Sequence, residues 1–139
     1  MIVLDTNVVS ELVKPRVIPE VAMWMRHHAH TGLYLCDVVV MEQSFGAERF
    51  WRQTRSDRYL QILSQLLVSF HGRILGFDHL SALRTGRVRA ERQVQGRPIS
   101  VQDAMIAAIC LVNDATLATR NTKDFQGLDL RLVNPFEGG

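Results

Sequence analysis

Cysteine is nearly absent from this chain: two among 139 residues, Cys36 and Cys110, far apart and each set among apolar neighbours. Without CxxC spacing there is no signal for a zinc site or a redox pair, and two isolated core thiols suit a reducing compartment. Proline and glycine are also sparse, at four and nine, which argues against a low-complexity or disordered chain. No apolar run is long enough for a bilayer, which needs about 20 residues; the uncharged stretch from Ala104 to Val112 is less than half that length. The opening Met1-Ile2-Val3-Leu4-Asp5 has no basic n-region and meets an acid at once, unlike a signal peptide. The expectation is a cytoplasmic protein with no membrane partner.

A strong charge imbalance is missing too. The formal net charge of +2 does not by itself point to nucleic acid. Locally, Arg84, Arg87, Arg89, Arg92 and Arg97 have only Glu91 for company. That excess suits a phosphate backbone, and equally a solvated helix face or a surface for an acidic protein.

What is present describes one globular domain, residues 1–139, with 47% hydrophobic and 22% charged residues. Short apolar runs at 2–4, 33–36, 74–77, 116–119 and 130–133 read as strands. Helical segments alternate with them. Thr6 or Asn7 can cap a first helix, and Pro19 opens another to about Ala29. The stretch Val38-Val39-Val40 favours a strand, whereas Met41 to Trp51 looks helical. Leucines at helical spacing cover 56–70, a long helix follows from His79 to about Gln95, and Ser100 starts one that is apolar on every side from Ala104 to Val112. Strands alternating with helices predict an α/β domain with a mainly parallel sheet, whose functional groups gather beyond the carboxyl ends of the strands.

Three acids fall at such places. Asp5 ends the first strand and can itself be the N-cap of the helix that follows, a common use of Asp; if Thr6 and Asn7 do that work, Asp5 is left free. Asp103, three residues after Ser100, resembles the acid of a capping box, yet it begins the inward stripe of Ile106, Ala107 and Cys110. Glu42 shares a helical face with Val38, Phe45 and Arg49, or is simply solvated. Glu48, by contrast, is accounted for by Arg52 at i+4. Converging carboxylates repel unless protonated or bridged by a cation. A hard divalent ion with oxygen ligands resolves that repulsion and can activate water against a phosphodiester. His27 and His30 share a helical face near a helix end, a favourable place for cationic side chains and a poor case for ligands. Trp24 and Trp51 read as core or dimer contacts. Thr119 and Arg120 lie beside the proposed site and are candidates for phosphate contact.

Met1 to Glu11, Ile99 to Ala108 and Leu117 to Phe125 each resemble a motif of the PIN-domain proteins, particularly the FitB-like branch of the VapC toxins. Tyr34 to Gly46 matches more loosely and places Glu42 at the family's second acid. The resemblance covers essentially the whole chain in order. It implies a three-layer α/β/α domain with a five-stranded sheet, and a metal-dependent endoribonuclease. Asp5, Glu42 and Asp103 become the residues of a Mg²⁺ or Mn²⁺ site. Many members carry a fourth acid where this chain has Asn121, which can orient a water but adds no charge; Asp124 lies three residues further on. The resemblance also implies an RNA substrate, a homodimer, and a VapB-type antitoxin that blocks the site and could carry a larger assembly onto DNA. The alternatives are a PIN module that binds RNA or antitoxin without cutting, which Asn121 favours, and a phosphatase-like domain using Asp5 as nucleophile, which Asn7 disfavours.

Overall fold

The computed structural model describes residues 1–137. Among these residues the chain forms five strands: β1 (Ile2–Leu4), β2 (Leu33–Cys36), β3 (Ile74–Leu75), β4 (Thr116–Ala118) and β5 (Leu132–Val133). Six helices alternate with them: α1 (Thr6–Leu12), α2 (Pro19–His27), α3 (Asp37–Thr54), α4 (Arg58–Ser69), α5 (His79–Val94) and α6 (Val101–Val112). A single 3₁₀ turn follows β4 at Thr122–Phe125.

All four strand pairings are parallel, in the order β3-β2-β1-β4-β5, with Val3 opposite both Tyr34 and Leu117. The central strands read as apolar runs because both faces of a parallel sheet are covered. Val3, Leu4, Leu35, Cys36, Leu117 and Ala118 are all fully buried. The order reverses between β1 and β4: the chain leaves β1 toward β2 and leaves β4 toward β5. Right-handed crossovers from such a point place helices on opposite faces, and the two carboxyl ends diverge into a crevice. The result is the three-layer sandwich, with Asp5 and Thr119 at the crevice.

Several boundaries differ from the sequence expectation. Val38, Val39 and Val40 belong to α3, which starts directly after β2 at Asp37. Their strand preference yields to burial, since Val38 and Val39 are core residues, and Asp37 suits the positive end of the helix. The edge strands shrink to two residues each, Ile74–Leu75 and Leu132–Val133, and α2 stops at His27, short of Ala29. Glu48 and Arg52 do not form an ion pair among the described residues.

The buried helix is α6. Ser100 caps it, its Oγ accepting from the Asp103 N–H at 3.1 Å. Ala104 and Ile106 to Cys110 are buried, and α5 packs along it. Burial also drives the Cys36 thiol up to about 11 and the Cys110 thiol well above its ordinary value. Both cysteines are inert core residues at neutral pH. Truncating α6 should therefore be costly. Ile109→Ala is expected to lower stability by about 3 kcal/mol in urea denaturation with an unchanged m-value.

Candidate active site

Asp5 is the best-held residue of the crevice. Its backbone N–H continues the β1–β4 ladder by donating to the Ala118 carbonyl at 2.9 Å. The side chain is 4% exposed, and Asp5 itself is the N-cap of α1: Oδ1 accepts from the Thr6 N–H at 2.8 Å. Of the three candidate caps, Asp5, Thr6 and Asn7, it is Asp5 that caps α1. Its second oxygen, Oδ2, accepts from Thr119 Oγ1 at 2.7 Å and from Asn7 Nδ2 at 3.4 Å. Asn7 ties the two strand ends further, donating to Thr119 Oγ1 at 3.3 Å and accepting the Arg120 N–H at 3.1 Å. Every donor to Asp5 is neutral, and no cation pairs with it among the described residues.

The remaining acids approach from three directions. Thr6 Oγ1 donates to Glu42 Oε1 at 2.8 Å, linking the start of α1 to the second turn of α3. Glu42 is thus anchored next to Asp5, not solvated on a free face. Asp103 sits half-buried in the first turn of α6. Burial, then the Glu42 and Asp124 charges, holds the Asp5 carboxyl above its ordinary value against the hydrogen bonds from Thr119 and Thr6. Asp103 is raised likewise, by burial first and then by Asp5 and Asp124, with Ser100 and Arg92 opposing. Asp5, Glu42, Asp103 and Asp124 therefore share one electrostatic site.

Asn121 and Asp124, the two candidates for the fourth position, are placed differently. Asn121 is exposed, and its side chain does not cap the 3₁₀ turn; it engages the site through its backbone, the N–H donating to Thr119 Oγ1 at 3.1 Å. A 3₁₀ turn has three residues per turn, so positions i and i+3 eclipse. The Asp124 N–H donates to the Asn121 carbonyl at 3.0 Å, and the turn brings Asp124 to within electrostatic reach of Asp5 and Asp103. Asp124, three residues further along the chain than Asn121, is the residue of this turn whose charge bears on Asp5 and Asp103.

Thr119 is wholly buried and its hydroxyl is committed to Asp5, so it is not a phosphate contact. Arg120 is exposed, its guanidinium 4.5 Å from the Phe136 ring centroid. Not all of the arginine segment faces solvent: Arg92 is buried, and Arg87 pairs with Glu91 at 3.5 Å. His27 ends α2, and Trp24, packed against the core, stacks on His28. A fifth acid, Glu11, is 2% exposed but occupied elsewhere, accepting from Lys14 Nζ and the Ile18 N–H at 3.0 Å each. Sequence reading missed Asn7, Thr6 and Arg92 as positioning groups; the Asp-Thr-Asn tripeptide was the available signal for the first two.

The donor set consists of hard oxygens, the kind Mg²⁺ and Mn²⁺ accept. Among the described residues no three His, Cys, Asp or Glu side chains stand close enough to cage an ion alone. That fits a hydrated ion, since magnesium takes one or two carboxylates and keeps several waters. Beside the acids a groove of about 860 Å³ opens between α1, α3 and α4, reaching from Thr6, Glu42 and Gln102 out to Phe45, Phe50 and Tyr59.

The whole chain has relatives of the same length. It is 35% identical to a plasmid stability protein, StbB, of Pseudomonas syringae pv. tomato, with 99% of each chain covered. It is 32% identical to Toxin FitB of Neisseria gonorrhoeae, covering 98% of this chain and 99% of that one, and 33% identical to the VapC ribonuclease Y4jK of Sinorhizobium fredii, covering 99% of each. The crystal structure of FitAcB from Neisseria gonorrhoeae superposes with a TM-score of 0.88 at 30% identity over 99% of both chains. A toxin-antitoxin complex from Klebsiella pneumoniae superposes at 0.74 with 25% identity over 99% of both. The PIN domain family model matches residues 2–129. With its parallel sheet and with acids converging where the strand order reverses, this chain belongs to the PIN-domain family.

Proposed function

We propose that this chain is an endoribonuclease that hydrolyses RNA with Mg²⁺ or Mn²⁺, and that it is the toxin of a toxin–antitoxin pair in the cytoplasm. The observation that carries this reading is the buried Asp5 carboxylate, held by three neutral donors and electrostatically coupled to Glu42, Asp103 and Asp124, with no cation paired to it among the described residues. Relatives named ribonuclease and toxin, matched end to end, support it. Asp5 and Asp103 would hold the ion, with Glu42 and Asp124 completing the acidic ring. When bound, such an ion polarises the phosphodiester and eases loss of a proton from water.

The chain's own groups supply the rest. Thr6, Asn7 and Thr119 fix the Asp5 plane, so one ligand direction is set before substrate arrives. Thr6 occupies Glu42 Oε1 and leaves Oε2 to orient the attacking water. Asn121, exposed at the rim, contributes its backbone to Thr119 and at most a water contact. The products would be 5′-phosphate and 3′-hydroxyl ends. The binding-only alternative drew on the neutral Asn121; with Asp124 at that corner the ring keeps its fourth charge, and nothing else favours it. In the groove beside Glu42, an apolar segment of a VapB-type antitoxin would lie over Phe45 and Phe50 and cover the acids. A toxin–antitoxin complex among the structural neighbours supports that partnership. A homodimer, and a larger assembly on DNA through the antitoxin, complete the reading.

The direct test is cleavage of structured RNAs by purified, antitoxin-free chain with Mg²⁺, Mn²⁺ or chelator. Asp103→Asn is expected to lower metal-dependent cleavage about 100-fold or more. Equal cleavage by both, or cleavage that survives chelator, would overturn the assignment. At the fourth corner, Asp124→Asn should cost about 10-fold or more, while Asn121→Ala stays near parental rate; the reverse order would return that corner to Asn121. Stability offers an independent check. A carboxyl whose folded value is raised stabilises least when ionised, so the metal-free parent loses stability as pH rises through that raised value. Asp103→Asn escapes the loss. In EDTA its melting temperature should exceed the parent's by about 2 °C at pH 7, and the gap should close toward pH 4.

A further inference from the structure

Arg92 is 4% exposed, near the end of a helix whose other arginines face outward or half outward, and it pairs with no carboxylate among the described residues. A guanidinium cannot lose its charge, so its burial needs a structural reason. Its hydrogen bonds supply one. Nε donates to the Arg97 carbonyl at 2.8 Å, and Nη1 donates to the Asp124 carbonyl at 2.8 Å. The same fork thus grips the turn leading into α6 and the 3₁₀ turn after β4.

The local backbone is built around this grip. Gly96, at φ +71°, ends α5 in the left-handed region, with its N–H on the Gln93 carbonyl and the Arg97 N–H on the Arg92 carbonyl. That pair of bonds is a Schellman closure. It folds residue 97 back over residue 92, and the Arg92 side chain then crosses to Asp124. Two weaker ties run parallel: Arg97 Nη2 to the Lys123 carbonyl at 3.2 Å, and Gln95 Nε2 to the Gly127 carbonyl at 3.3 Å. The carboxyl end of α5 therefore holds residues 123–127 through their carbonyls, and these bonds leave the Asp124 carboxylate free for the site.

Building on the metal-site reading above, we propose that Arg92 is a positioning residue: by clamping the Asp124 carbonyl and the turn before α6, it fixes Asp124 against Asp103 for a divalent ion. The two donors must reach two carbonyls on different segments at once. The planar fork of arginine does this; the single ammonium of lysine does not. The role thus rests on geometry, and retaining the charge does not preserve it.

The test is Mn²⁺ binding to the purified chain, followed by the electron paramagnetic resonance signal of free Mn²⁺ at a temperature well below every variant's melting point. Arg92→Lys is expected to weaken Mn²⁺ binding about tenfold or more, in the range typical of groups that hold ligands in place. In an Asp124→Asn background the same substitution should change binding less than about twofold, because the residue it positions has lost its charge. Arg89→Met, on the exposed face of α5, serves as the control and should bind as the parent does. A general loss of stability would lower the melting temperature without this dependence on Asp124. An unchanged Mn²⁺ affinity in folded Arg92→Lys, or an equal loss in both backgrounds, overturns the proposal. Absence of Mn²⁺ binding by the parent overturns the metal site and the proposal together, whereas the former two results overturn the proposal alone.

Discussion

A carboxylate buried at the end of a central strand, with no cation paired to it among the described residues, is the constraint on which the rest of this molecule turns. Asp5 cannot leave its place, because its backbone extends the β1–β4 ladder and its side chain caps α1. Nor is it comfortable there: burial and the acids around it hold its proton more tightly than usual. Three neutral donors stabilise its charged form only in part. Such an arrangement persists when the whole fold determines it, and groups perturbed in this way cluster at functional sites.

The fold produces this situation through its strand order. Because β1 and β4 are neighbours whose connections leave in opposite directions, their carboxyl ends open onto a crevice that no crossover covers. Three acids then arrive by three routes: Glu42 on the helix that follows β2, Asp103 on a helix capped by Ser100, and Asp124 on a 3₁₀ turn. Each stands near the start of a helix or in a tight turn. Helix starts bring backbone dipoles that favour negative charge, which offsets part of the repulsion. Arg92 contributes from behind, lowering the proton affinity of Asp103 while its hydrogen bonds hold the backbone at Asp124.

Much of this was legible in the sequence. The alternation of short apolar runs with amphipathic segments pointed to the parallel sheet, and the all-apolar run from Ala104 to Val112 to the buried helix. The ordered set of motifs singled out Asp5, Glu42 and Asp103 together, and the structure brings these three to one crevice. Three features were hidden for physical reasons. The valines at 38–40 carry a local strand preference that tertiary burial overrides. Asp124 depends on a 3₁₀ turn, and one turn of helix leaves no periodicity to read. Arg92 looks like one of five surface arginines, since residue type alone does not show which side of a polar helix faces inward. Thr119 stands out in the sequence for its place beside the site, but a threonine at a strand end does not reveal its partner. Its hydroxyl serves Asp5, not a phosphate.

If these carboxylates await a divalent cation, binding one must stabilise the fold, with no RNA involved. Melting temperature at pH 7, with and without Mn²⁺, measures this directly. At about one hundred times the dissociation constant, an ion bound only by the folded chain adds about 2.7 kcal/mol. The parent should therefore melt several degrees higher with Mn²⁺, and Asp103→Asn should lose most of that gain. A melting temperature indifferent to Mn²⁺ and Mg²⁺ at millimolar concentration, in parent and variant alike, would mean that the acids of the crevice hold no such ion.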